Sequence, residues 1–201
     1  MDRRTAVAGL VASLALPAAT QAARLARPDT RIKAQPIGWP SGDGRALQGF
    51  MAIPGHASGK QPAVLVLADP RRAPGIGPGL AAAIAQAGLI ACAPEAKMVA
   101  EAGADPTSRG QRDLEATIAW LGHNSYATGG VGLLGTDGTD ALIARLAAMP
   151  GITAAVRIGG GATQLTASGS TPDILVLPAT DLIAWAAAWP RAMAYLREHL
   201  Q

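Results

Sequence analysis

Ala63-Val-Leu-Val-Leu-Ala68 is a continuous apolar run of strand length, and it ends at a loop that begins with Asp69. An unbroken apolar run of this length is typical of a strand that is covered on both faces, as in a parallel sheet. Similar runs recur at residues 89–93 and 131–135, and segments with a helical pattern lie between them. Strands that alternate with helices predict right-handed crossovers and a mainly parallel, doubly wound α/β sheet.

The rest of the chain extends this pattern on both sides. Two short apolar segments, residues 31–37 and 47–53, flank a turn-rich stretch and predict an N-terminal hairpin. Further strands are predicted at residues 152–158 and 173–178, and helices near residues 79–87, 109–122, 139–149 and 181–200. No internal repeat is evident, so residues 23–201 are predicted to form a single α/β domain.

Composition narrows the classes of partner and cofactor. The net charge is only +3 and the chain has four Trp, two Tyr and one Phe, which argues against nucleic acid as a partner. The single cysteine, Cys92, lies in an apolar run and is predicted to be a buried strand residue, since one cysteine forms no zinc site. Gly159-Gly-Gly161 lacks the Lys-Ser/Thr pair of a phosphate loop. We therefore expect no cofactor and no metal.

Residues 1–22 have the pattern of a secretory signal peptide. Arg3 and Arg4 precede a short apolar run, and Thr20 and Ala22 stand at the −3 and −1 positions of a cleavage site. The run is shorter than the roughly 20 residues that a transmembrane helix needs. Arg3-Arg4 resembles a twin-arginine signal, with Ala6 in place of the usual large apolar residue, and the general secretory route is the alternative. The mature chain is therefore expected to be periplasmic or otherwise exported, with no transmembrane helix.

Three segments, in this order and spacing, resemble the dienelactone hydrolases of the α/β-hydrolase superfamily. They are Gly49-Phe-Met-Ala-Ile-Pro54, Ala85-Gln-Ala-Gly-Leu-Ile-Ala-Cys-Ala-Pro-Glu95 and Val131-Gly-Leu-Leu-Gly-Thr-Asp-Gly-Thr139. The resemblance covers roughly residues 31–200 and implies a compact α/β-hydrolase-like fold. It also implies ester or lactone hydrolysis by a nucleophile on a strained turn, a histidine, an acid and two backbone N–H donors for the oxyanion.

The nucleophile and acid positions of that family hold aspartates. Asp137 stands where the family has cysteine, with Gly135 and Gly138 retained and Thr139 in place of a small residue. Asp137 is either a nucleophile, as in haloalkane dehalogenases and epoxide hydrolases, or an N-cap of the following helix, which is the favoured interpretation. Asp181 matches the acid of the triad, and it is equally well explained as a helix cap.

The histidine of the triad has no counterpart in this sequence. The family carries it on a loop between the acid and the last helix, whereas here Asp181 leads almost directly into an apolar helical stretch. The loop is therefore predicted to be deleted. His56 lies in a turn, His123 follows a helix and His199 is two residues from the end of the chain. None of them occupies the triad position.

One oxyanion donor is also altered. The family takes it from the residue after the acidic residue that follows the first parallel strand, and here that pair is Asp69-Pro70. Proline has no N–H, although an alignment shifted by one would place Asp69 or Arg71 there. These changes predict a protein that has lost catalysis and serves as a binding or accessory subunit of a periplasmic or membrane-associated complex, with a protein partner in the cell envelope. The alternative is an active ester or lactone hydrolase that uses Asp137, Asp181 or Asp69.

Overall fold

One seven-stranded sheet runs through a computed structural model of the protein, which describes residues 31–56, 59–160 and 174–200. The strand order is β1-β2-β4-β3-β5-β6-β7. The strands are β1 Ile32–Pro40, β2 Ala46–Pro54, β3 Gln61–Leu67, β4 Ile90–Pro94, β5 Ala127–Gly135, β6 Ile152–Gly159 and β7 Ile174–Pro178. β3 to β7 pair in parallel, whereas β1 and β2 form the predicted hairpin and β2 pairs antiparallel with β4. The predicted signal peptide lies outside the described residues.

Helices cover both faces of the sheet. Within the described ranges they are α1 Ile76–Gln86, α2 Ala96–Ala104, α3 Arg109–His123, α4 Asp140–Ala147 and α5 Leu182–His199. α2, α3 and α4 share one apolar core with one side of the sheet, and α1 and α5 share a second core with the other side. The predicted doubly wound α/β fold is confirmed. None of these helices combines the length and the apolar character that crossing a bilayer requires.

β3 shows why its sequence is an unbroken apolar run. Leu65 and Leu67 point into the core beneath α2, α3 and α4, while Val64 and Val66 point into the core beneath α1 and α5. All four are at most 1% exposed. Because successive side chains of a strand face opposite sides, a strand between two helical layers needs apolar residues at every position.

The N-terminal hairpin is fixed to α3 by buried contacts. Trp39 of β1 stacks on Trp120 with 5.1 Å between ring centroids, and its Nε1–H donates to Thr117 Oγ1 at 3.0 Å. Arg45 Nη2, at the start of the hairpin's second strand, lies 2.8 Å from Asp113 Oδ1. These contacts join the hairpin to the helical layer that covers one face of the sheet.

The chain reverses its winding direction between β3 and β5. β3 leads into α1 on one face, whereas its neighbour β5 leads into α4 on the opposite face. Adjacent parallel strands whose connections leave to opposite faces open a crevice at their carboxyl ends, where ligands bind in open α/β sheets. Asp69 follows β3 and Asp137 follows β5, so both lie at this crevice.

Candidate functional site

A sharp turn joins β5 to α4 at the crevice. Thr136 N–H donates to Leu67 O at 3.0 Å, which ties the turn to the end of β3. Gly138 has φ of 85°, and a Cβ at this position would lie 2.5 Å from Asp69 Oδ2. A Cβ at Gly135 would lie 2.6 Å from Thr139 Oγ1. Both glycines of the predicted strand-to-helix turn are therefore required by its geometry.

The residue of this turn with a left-handed backbone conformation is Gly138 and not Asp137. No non-glycine residue in the described part of the chain has a positive φ, and the left-handed position belongs to Gly138. In a nucleophile elbow the reactive side chain is carried by the strained turn residue itself. Here the left-handed position carries no side chain, and Asp137 precedes it on ordinary backbone.

The Asp137 carboxylate is bound by a buried arginine. Its Oδ1 lies 3.0 Å from Arg157 Nη2, and it rests against Gly159, where any Cβ would overlap the carboxylate. Arg157 is 3% exposed, and its guanidinium also donates to Gly159 O at 2.9 Å and to Gly160 O at 3.0 Å. The side chain of Asp137 is 41% exposed.

A second carboxylate, that of Asp140, also lies against Arg157. Asp140 Oδ1 lies 2.9 Å from Arg157 Nε, an ion-pair distance whose geometry is not that of a hydrogen bond. A buried guanidinium needs such compensation because removing it from water costs several kcal/mol. Arg157 was not predicted as a site residue, although it is the single charged residue of the largely apolar run 152–158, and that contrast is the signal that could have identified it.

Of the two aspartates predicted to be helix N-caps, Asp181 is one and Asp137 is not. Thr139 is the N-cap of α4, and its hydroxyl donates to Thr136 O at 2.7 Å. The interpretation of Asp137 as that N-cap is therefore wrong, because a full guanidinium charge attracts a carboxylate more strongly than the half charge at a helix end. Asp181 is the N-cap of α5 and accepts from Ala184 N–H at 2.8 Å, which confirms the cap interpretation for this residue.

Three backbone N–H groups of the β3–α1 loop donate hydrogen bonds to Asp69 of the same loop. Arg71 N–H donates to Asp69 Oδ1 at 2.9 Å, and Arg72 and Ala73 N–H donate to Asp69 O at 3.1 and 3.0 Å. Pro70 has no N–H. Asp69 therefore organises this loop, and Arg71, the alternative oxyanion donor, already uses its N–H within it.

All three histidines of the chain lie at the edge of the sheet opposite the crevice. His56 follows β2, which is antiparallel to β4 and so ends at the amino edge of the parallel strands. His123 ends α3 just before β5, and His199 ends α5 beside Leu200, whose carbonyl accepts from the Thr128 hydroxyl at 3.5 Å. At about 3.3 Å per residue, the strands separate the two edges by roughly 20 Å or more. The fold thus leaves Asp137 without a histidine partner.

The crevice therefore brings together Asp69 and Asp137, while Asp181 lies beyond β7 as a helix cap. Asp69 Oδ2 is in contact with Gly138, and Asp137 is held from the other side by Arg157. Among the residues that the structure describes, no group of three metal-binding side chains is present. What the arrangement offers chemically is two aspartates at a switch point, one of them paired with a buried cation.

Comparison with known proteins identifies the fold. No family model and no curated protein matches the chain. Three solved structures are similar over 82–86% of this chain and 95–100% of theirs: a protein assigned as a dienelactone hydrolase from Klebsiella pneumoniae subsp. pneumoniae (16% identity, TM-score 0.57), a dienelactone hydrolase-like promiscuous phosphotriesterase from metagenomic libraries (16%, 0.62) and an esterase from Pyrococcus furiosus (12%, 0.57). At these identities the likeness is one of fold. The chain has the α/β-hydrolase fold in the compact form of the dienelactone hydrolase-like proteins.

Proposed function

We propose that the protein is an exported, non-hydrolytic member of this fold that acts as a binding or accessory subunit in the cell envelope. The observation that carries the proposal is the pairing of Asp137 with buried Arg157 in a chain whose three histidines all lie at the opposite edge of the sheet. A hydrolase of this fold needs a base beside its nucleophile, and no histidine of this chain is placed to supply one.

The crevice lacks two groups that contribute strongly to the rate of hydrolysis, a histidine base and one oxyanion donor. General acid–base catalysis contributes about 10²–10⁴ in rate, and one oxyanion donor contributes about 10²–10³. Asp137 lacks the first, and the β3–α1 loop has a proline at the expected donor position. A carboxylate that is paired with a guanidinium is also a weaker nucleophile, because attack on a substrate would break the ion pair. These losses support a binding role over ester or lactone turnover.

The first turn of α5 offers a surface for a protein partner. Leu182 and Ile183 are 88% and 83% exposed, whereas Met193 is buried and Trp185 and Trp189 are half-buried and stacked at 6.3 Å between ring centroids. The indole rings and Met193 therefore pack against the apolar core between α5 and the sheet. An adjacent pair of exposed branched apolar residues instead fits an apolar patch on a partner protein.

Export is proposed from the sequence of residues 1–22 alone. Cell fractionation of the full chain, with Arg3 and Arg4 both replaced by Lys as the matched change, tests it. We expect the wild-type chain in the periplasmic fraction, and we expect retention of the double-Lys chain if the twin-arginine route is used. A wild-type chain found only in the cytoplasm would contradict the proposed location.

The decisive experiment combines partner capture with an activity assay. The mature protein is used to isolate partners from the envelope fraction of its own host, and the eluate is assayed on ester and lactone substrates. We expect a stoichiometric partner that is lost in the Leu182→Ser/Ile183→Ser double variant and kept in Tyr126→Ser, which changes an exposed apolar residue elsewhere. Turnover by the purified protein that Asp137→Ala abolishes would refute the non-hydrolytic role.

The second candidate function is an ester or lactone hydrolase with Asp137 as nucleophile. The observation in its favour is that the Asp137 side chain is 41% exposed at the switch-point crevice, with the glycines of the turn retained. The same assay distinguishes the two candidates: attack of Asp137 on the acyl carbon would release the alcohol and leave an acyl-aspartate anhydride, which the active protein would form and Asp137→Ala would not.

A further inference from the structure

A cleft of about 370 Å³ opens beside the β3–α1 loop, on the β4 side of the crevice. Its walls are mainly apolar and include Phe50, Val66, Ala93, Pro94 and Val99. No residue of the β5–α4 turn lines it. Apolar clefts of roughly 300–1,000 Å³ with a few polar groups are the usual form of small-molecule sites.

The cleft is preformed because small residues line it and local bonds hold its rim. Gly49 has no room for a side chain, since a Cβ would lie 2.6 Å from Ala93 O, and a Cβ at Gly77 would lie 3.3 Å from Ala93 Cβ. Ala73 is anchored by its N–H bond to Asp69 O. The strands and the anchored loop therefore keep the space open without a ligand.

Glu95 gives the cleft its electrostatic character. It is the single charged side chain among the described residues of the lining, and Gln48 is the other polar side chain there. Glu95 N–H donates to Gln48 O at 3.2 Å, which fixes the backbone at the rim. Although Glu95 is the N-cap of α2, its carboxylate accepts no capping bond. An exposed carboxylate at the rim of an apolar cleft favours a ligand with a positive charge at one end.

We propose that this cleft binds small amines with an apolar body, the body lying against Phe50 and Pro70 and the ammonium group pairing with Glu95. The inference holds whether or not the crevice is catalytic, because the two sites share no lining residue of the β5–α4 turn. The charge of the ligand is the specific part of the proposal, since the apolar walls alone would accept neutral molecules equally well.

The test is a titration followed by ¹H–¹⁵N NMR with three probes of similar shape: benzylamine, benzyl alcohol and phenylacetate. The amides of Gly49, Gly75 and Gly77 report on the cleft, and the amide of Gly138 reports on the crevice. We expect benzylamine to bind most tightly and phenylacetate most weakly, with shifts at the three cleft glycines. Equal affinities for the three probes, or no binding of benzylamine, would overturn the proposal.

Two kinds of variant make the test specific. Glu95→Gln should weaken benzylamine about fivefold, the effect of a partly exposed ion pair, and leave benzyl alcohol unchanged. Glu198→Gln, an exposed carboxylate on α5, is the matched control and should change nothing. Ala73→Leu fills the cleft and should abolish binding of all probes, and Ala96→Leu at the exposed start of α2 serves if the first variant does not fold.

The outcomes separate this inference from the proposed function. Unchanged benzylamine affinity in Glu95→Gln contradicts the pairing with Glu95. Shifts centred on Gly138 place the amine in the crevice and refute the cleft site. Ester turnover, by contrast, would refute the non-hydrolytic role and leave the cleft titration unaffected.

Discussion

Replacing Arg157 by methionine tests whether the buried guanidinium holds the turn after β5. Methionine keeps much of the volume and removes the donors to Gly159 O and Gly160 O and the ion pairs with Asp137 and Asp140. A buried acceptor left without a partner costs about 1–3 kcal/mol. Gly159 O keeps the N–H of Ala179, whereas the half-buried Gly160 loses the guanidinium donor to its carbonyl, so the expected loss of unfolding free energy is about 1–3 kcal/mol.

The carboxylates add little to this sum. The side chains of Asp137 and Asp140 are 41% and 30% exposed, so water replaces much of what the guanidinium provided. For the same reason Asp137→Asn, the matched control, should cost only about 0.2–1 kcal/mol, since Arg157 keeps its other partners. Arg157→Met is therefore expected to be the more damaging change.

The assay is urea unfolding at neutral pH and moderate salt, followed by circular dichroism, with the slopes compared to verify two-state behaviour. A double variant measures the coupling between positions 137 and 157. A loss below about 1 kcal/mol in Arg157→Met, or a larger loss in Asp137→Asn, would refute the reasoning. It would mean that the turn is held by its glycines alone and that Asp137 is free for other chemistry.

Three further changes test other parts of the structure. Thr117→Val leaves the buried Trp39 Nε1–H without its acceptor and should lower the unfolding free energy by about 1–2 kcal/mol; an unchanged urea midpoint would argue against that bond. Gly138→Ala should cost at least about 1–2 kcal/mol from its positive φ, and Asp69→Ala in the same chain should relieve only the added clash, so full recovery in the double variant would contradict the backbone argument. Burial raises the pKa of the Cys92 thiol to about 12 from its usual 9.0, so the unfolded chain loses this proton first and stability should fall as pH rises from about 9 toward 12. Cys92→Ala should flatten that part of the pH profile, and rapid reaction of the native thiol with a thiolate-specific reagent at pH 8 would count against its burial.

The strands were predictable because a strand that is covered by helices on both faces has a continuous apolar sequence. Residues 63–67 of β3 are all apolar, and residues 89–93 and 152–158 show nearly the same pattern. α2 was missed because it is short, begins directly after Pro94-Glu95, and has no side-chain cap to announce it. α1 begins at Ile76, earlier than predicted, because Gly75 in a left-handed conformation starts it where the sequence suggested loop.

The candidate site was predictable only where it depends on chain length and residue type. The absent histidine follows from the short distance between Asp181 and the last helix, which any reading of the sequence shows. The partner of Asp137 could not be predicted, because Arg157 is twenty residues away in sequence and reaches the turn only through the pairing of β5 with β6. The periodicity of apolar side chains predicts single strands and helices, whereas the contact between Arg157 and Asp137 depends on the pairing of two strands.

The connection from β7 to α5 consists of Ala179, Thr180 and Asp181. Ala179 N–H is bonded to Gly159 O, and Asp181 caps the helix, so both ends of this connection are occupied by structural bonds. A point substitution can exchange a side chain, but it cannot lengthen this three-residue connection. Even a cysteine placed at position 137 would still find no histidine beside it, since all three histidines lie at the opposite edge of the sheet. A histidine-bearing loop between β7 and α5 would therefore require an insertion, because three residues join the two elements.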